Sequence, residues 1–99
     1  HTTVGLQLMT EFKNALYLSP EQNTSNNLRK KFEKEYLCGA SHTFRSVNTF
    51  LANTNKFKDL NLIIVDPARN VEEKYIGRLM TAFTSCLDFT KPCFMVMLE

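Results

Sequence analysis

Apolar residues along this chain gather in short runs, and between the runs they recur every three or four positions. "ALYLS", Ala15 to Ser19, is the first run, and Pro20 closes it because proline has no N–H to donate to a sheet ladder. "NTSNNLRKKFEKE" follows with Leu28 and Phe32 four apart, the spacing of one helix face, and Ser25 or a polar neighbour stands where a helix cap is needed. "EYLCGAS", short, apolar and ending on the turn-formers Gly39 and Ser41, reads as a second strand. "FRSVNTFLANTNKF" then sets Phe44, Val47, Phe50 and Leu51 at helical spacing until "ANTNK" breaks the pattern. "LNLIIV" is apolar without interruption, which predicts a strand covered on both faces and so a central place in the sheet.

The longest periodic stretch is "NVEEKYIGRLMTAFTSCLDF" from Asn70. Asn70 and Glu73 have the spacing of a capping box, and Val71, Tyr75, Leu79, Ala82, Phe83, Cys86 and Leu87 form an apolar stripe that Ile76 and Met80 widen. "TKP" stops this helix, and "CFMVML" is a fourth strand. The order βαβαβαβ with right-handed crossovers predicts an α/β fold of three layers, a mostly parallel four-stranded sheet with flanking helices, spanning residues 15–99. Residues 1–14 form an N-terminal extension outside the alternation. Val4, Leu6, Leu8, Met9 and Phe12 suit an amphipathic helix packed on the domain, the preferred reading, and "GLQLM" suits an extra edge strand.

Composition narrows the function classes. The chain has 99 residues, 43% hydrophobic and 22% charged, which is one domain with one modest core. No apolar run approaches the roughly 20 residues a membrane span needs, and no leader precedes them. Basic and acidic residues nearly balance at a net charge of +2, and the one basic cluster, Arg29, Lys30, Lys31 and Lys34, alternates with acids as a solvated helix face does rather than a nucleic-acid patch. Cys38, Cys86 and Cys93 are odd in number and lack metal-ligand spacing, so they read as reduced thiols in an intracellular protein, cytoplasmic or nuclear. His1 and His42 are isolated, "NTS" at Asn23 is a loop rather than a glycosylation site, and the three glycines build no phosphate loop. No nucleophile has a base at recognisable spacing, so no catalytic residue and no metal site is assigned.

Open α/β sheets bind ligands beyond the carboxyl ends of their strands. Ser19, Pro20, Glu21 and Gln22 follow the first strand there, Ala40 and Ser41 the second, and Asp66 to Arg69 the third, with Met97 to Glu99 closing the fourth. "NALYLSPEQNTSNNLRKKFEKEYLCGASHTFRSVNTFLANTNKFKDLNLIIVDPARN" in this arrangement resembles the first three strands of a response-regulator receiver domain, a flavodoxin-like fold. The resemblance puts Asp66 where receivers carry the phospho-accepting aspartate, and Glu21 and Gln22 where they carry an acidic pair that binds Mg²⁺. Gln22 lacks one of those charges, Met97 stands near the family's hydroxyl residue, Pro67 stiffens the loop after the acid, and no lysine-bearing fifth strand precedes Glu99. What the resemblance implies is a pseudo-receiver with a degenerate acidic pocket of Glu21, Gln22 and Asp66, in which Mg²⁺ at Glu21 and Asp66 and phosphorylation of Asp66 are the minor alternatives.

"NLIIVDPARNVEEKYIGRLMTAF" is also similar to the third strand and following helix of a BRCT-like domain. That resemblance implies a phosphopeptide site made by Ser19 with Arg69 or Lys74. It is weakened by the helix expected between the second and third strands and by the absence of tryptophan. The resulting expectation is a non-enzymatic interaction domain, a scaffold or regulatory module with no cofactor of its own. Its partner is another protein or further domains of the same polypeptide, and the N-terminal segment, a further C-terminal segment or the partner is expected to cover the apolar last strand.

Overall fold

Strand β1, Ala15–Ser19, is buried at all five positions, as a strand must be when both neighbours and both faces are occupied. The computed structural model describes residues 2–36, 42–57, 59–86 and 93–98. Helix α1 spans Thr2–Thr10 and precedes β1; α2 (Gln22–Glu35), β2 (His42–Ser46), α3 (Val47–Ala52), β3 (Leu62–Val65), α4 (Glu73–Cys86) and β4 (Phe94–Met97) follow. Short 3-10 turns lie at Thr54–Lys56 and Ala68–Asn70. The four strands form one all-parallel sheet in the order β2-β1-β3-β4, with Leu18 beside Val65 and Val65 beside Met97. This is a three-layer α/β fold of the flavodoxin-like kind.

Strand parity sorts the core into two halves. Leu16 and Leu18 of β1 and Ile63 and Val65 of β3 pack against Val47, Phe50, Leu79 and Ala82 of α3 and α4. Ala15, Tyr17, Leu62 and Ile64 face the other way, toward Leu6 and Met9 of α1 and Phe32 of α2. The helices fall on these sides because β1 to β2 steps one way across the sheet and β2 to β3 to β4 steps the other, so right-handed crossovers place α2 opposite α3 and α4. The α2 side is held by aromatic contacts: Phe44 stacks on Tyr17 at 5.7 Å and meets Phe32 at 5.5 Å between ring centroids.

The N-terminal segment is helical and forms no edge strand; it covers the part of the sheet that α2 leaves bare. Gly5 is required for that approach, because a Cβ there would stand 2.8 Å from Tyr17 Oη and 2.9 Å from Leu98 Cδ1. Along α2 the basic run is exposed, with Arg29 in an ion pair to Glu33 at 3.7 Å, while Leu28 and Phe32 turn inward as their spacing predicts.

Several expectations need correction. The second strand is not "EYLCGAS": Glu35 ends α2, Tyr36 caps it by donating its N–H to Phe32 O, residues 37–41 lie outside the described ones, and β2 begins at His42. Phe44 therefore belongs to a strand, paired with Tyr17, and α3 starts only at Val47, where the Ser46 hydroxyl accepts from Thr49 N–H at 3.2 Å. Ser25 is no N-cap either, and "NTS" at Asn23 is no loop, since all three residues lie within α2. Glu21 holds that position without a side-chain cap bond, and Ser25 is buried in the first turn of α2. Asn70 and Glu73 form no capping box, because Asn70 closes a 3-10 turn and Val71, extended and buried, straightens the chain before α4 begins at Glu73. The expected tail of that helix at Leu87 to Phe89 lies outside the described residues.

Cys93 is half-buried against the α4 side of the core, whereas Cys38 and the Cys86 side chain lie outside the described set. No helix among the described residues is long and apolar enough to cross a membrane.

Candidate functional site

The chain leaves β1 and β3 in opposite directions across the sheet, so the carboxyl ends of these two strands form the switch point where such sheets place ligands. Asp66 is the first residue beyond β3. It shares the parity of Leu62 and Ile64 and so points to the α1 side of the sheet, where it is only 6% exposed. Its Oδ2 accepts from Thr2 Oγ1 at 2.9 Å and from the Tyr17 hydroxyl, and its N–H donates to Leu18 O at 2.9 Å. Burial, followed by the hydrogen bond and the charge of Asp66, pushes the Tyr17 hydroxyl far above its usual range. Tyr17 is therefore a neutral donor at any ordinary pH. The three residues tie the first turn of α1 to the central strands.

After β1, the Ser19 hydroxyl donates to Glu21 O at 2.9 Å and shares a hydrogen bond with the Ser25 hydroxyl, fully buried under the start of α2. These bonds fix the turn that carries Glu21 outward. Gln22 reaches sideways: its Oε1 accepts from Ser46 N–H at 3.1 Å and its Nε2 donates to Asn26 Oδ1 at 3.1 Å. It joins the end of β2 to α2, so the amide has a structural task.

Glu21 is exposed and stands at the rim of two hollows. One, of about 220 Å³, is bounded by Pro20, Asn48 and Val71 together with Asn70, Glu72 and Tyr75; the other, of about 360 Å³, by Pro20, Thr24, Pro67 and Asn70. Neither Asp66 nor Gln22 lines either hollow. Of the three residues of the expected acidic pocket, Glu21 is exposed, Gln22 bonds to the end of β2, and Asp66 is buried with its carboxylate bonded to Thr2 and Tyr17. A hard cation such as Mg²⁺ needs several convergent oxygens, and no group of three or more His, Cys, Asp or Glu side chains among the described residues is arranged to hold a metal.

The expected phosphate contacts are also kept apart. Ser19 is enclosed, while Arg69 is exposed on the Ala68–Asn70 turn. Lys74 is exposed on α4, 3.5 Å from Glu72 and over the Tyr75 ring. Lys74 opens onto a third hollow, about 570 Å³, between α3, the Thr54–Lys56 turn and α4, where Gly77, Arg78 and Thr81 continue it.

Sequence reasoning missed Thr2, Tyr17, Gly77 and Arg78. For Tyr17 a signal existed, a hydroxyl in a wholly buried strand that needs a partner, but nothing local names Asp66 as that partner. Gly77 carried one too, a glycine inside a long helical pattern. Compared with protein-family models, curated proteins and solved structures, the chain has no match.

Proposed function

We propose that this chain is a non-enzymatic protein-interaction module, regulatory or scaffolding, whose receiver-like acid has become a structural group. The observation that carries this reading is the state of Asp66. At the strand end where a receiver displays its acceptor, the carboxylate is buried on the α1 side and already accepts from Thr2 and Tyr17. In-line attack on a phosphodonor needs an exposed oxygen with a cation beside it, and Glu21, the candidate for a second ligand by topology, lines two hollows that Asp66 does not.

The last strand supports the interaction half of the reading. Phe94 is 55% exposed and Met97 37%, in a parallel strand whose class is normally covered on both faces. Phe94 and Leu98 donate their N–H groups to the Asn61 and Val65 carbonyls, so alternation turns the backbone groups of Met95 and Met97 outward. These side chains and backbone groups suit contact with further protein, from another chain or from the same polypeptide.

The test is an amide NMR titration with Mg²⁺ and beryllofluoride, the phosphoryl mimic for acceptor aspartates. The expected result is no shift at Val65, Asp66 or Ala68. Saturable, Mg²⁺-dependent shifts there would overturn the reading and restore Asp66 as an acceptor.

A further inference from the structure

The groove between α3 and α4 has a floor that the fold does not require. Gly77 lies inside α4, where glycine is the poorest helix former after proline. Gly5 is justified by packing, since any Cβ there would collide with Tyr17 and Leu98. At Gly77 an added Cβ meets nothing within 4 Å. What the missing side chain provides is open space along the groove, between a cation on either side, Lys74 and Arg78, at the one-turn spacing that puts both on the same face of α4.

Both cations rest on one aromatic ring: Lys74 Nζ lies 5.1 Å and Arg78 Cζ 5.7 Å from the centre of Tyr75. That contact holds two long side chains near one another before a ligand arrives and reduces the ordering cost of binding. Among the described residues no acidic side chain lines the groove, and Glu72, which pairs with Lys74 from outside it, is an exposed partner that a ligand carboxylate can replace. Leu51 and Ala82 add an apolar strip.

We infer that this groove binds an extended acidic peptide of a partner protein, its carboxylates on Lys74 and Arg78 and its backbone over Gly77. The inference rests on the interaction-module reading and names its partner's chemistry. Charge complementarity selects the peptide, because two cations are a local anchor for carboxylates, whereas a nucleic acid is held by a longer basic track.

The probe is a labelled peptide of alternating Glu and Leu, with a Lys and Leu peptide as control, titrated into the isotopically labelled full chain. The Glu peptide should shift the amides of Leu51, Gly77, Arg78 and Thr81, and the Lys peptide should leave them unmoved. Arg78→Glu should weaken binding at least tenfold. Gly77→Leu, whose Cβ meets nothing within 4 Å, should keep the thermal transition and lose the peptide by a similar factor. Silence at the groove up to millimolar Glu peptide overturns the inference, as does equal binding by Gly77→Leu. A response to a phosphoserine peptide or a short oligonucleotide with none to the Glu peptide overturns it as well. These outcomes are independent of the beryllofluoride titration, so the groove can fail while the reading of Asp66 stands.

Discussion

Replacing Tyr17 with Phe removes one oxygen from the interior and leaves the ring, so it isolates the bond to Asp66. Tyr17 is fully buried and its ring keeps the contact with Phe44, so no cavity term enters. What is lost is one of two hydroxyl donors, among the described residues, to the side chain of Asp66, which is 6% exposed. Hydrogen bonds to charged groups are worth about 1.5–3 kcal/mol, and the residual Thr2 donor favours the lower half of that range, so a loss of about 2 kcal/mol is expected. With a urea m-value of about 1–3 kcal/mol per molar, the midpoint should fall by about 1 M with m unchanged.

The pH dependence supplies an independent sign. The folded hydroxyl holds its proton more tightly than the unfolded one, so its contribution is complete below about pH 10, the unfolded value, and is lost as pH rises toward the folded value. The wild-type chain should therefore lose stability relative to Tyr17→Phe above about pH 10, at up to about 1.4 kcal/mol per pH unit. Urea melts of both proteins by circular dichroism from pH 7 to 11 measure both effects. A neutral-pH difference below about 0.5 kcal/mol, the scale of surface substitutions, or parallel alkaline losses in the two proteins, would refute the tie between Tyr17 and Asp66.

Two further substitutions test the surroundings of that tie. Gly5→Ala should destabilise by about 1–3 kcal/mol as α1 is forced off Tyr17, and less so in a Tyr17→Phe background where the nearest clashing atom is gone; thermal melts of the double-mutant cycle measure this. Gln22→Ala should cost about 0.5–1.5 kcal/mol because Ser46 N–H loses its acceptor, whereas Gln22→Glu, which keeps an acceptor oxygen, should melt close to wild type in urea.

Much of the architecture was legible in local pattern. The uninterrupted run Leu62 to Val65 does lie inside the sheet, β1 and β4 fall where their apolar runs place them, and Leu28 and Phe32 share the buried face of α2. Pattern failed at β2 because Phe44, Val47 and Phe50 happen to be three apart, which imitates a helix although Phe44 is a strand residue. Only its pairing with Tyr17 and its contact with Phe32 settle the matter, and both come from distant parts of the chain. Likewise the spacing of Asn70 and Glu73 imitates a capping box, because spacing alone does not reveal that Val71 must turn into the core first.

The same division holds at the candidate site. That Asp66 ends a buried strand follows from residue order, since an apolar run followed by Asp and Pro has to stop there. Which way the carboxylate faces does not. It depends on strand parity together with the seat of α1, and the bonds that hold it join residues 64 and 49 positions apart. The openness at Gly77 is of the same kind, because a missing side chain becomes a groove only when α3 and the Thr54–Lys56 turn stand opposite. Periodicity is a property of neighbours along the chain and is written in the order of residues. A partner for a buried hydroxyl, or a wall for a groove, is supplied by folding, which brings remote segments into contact.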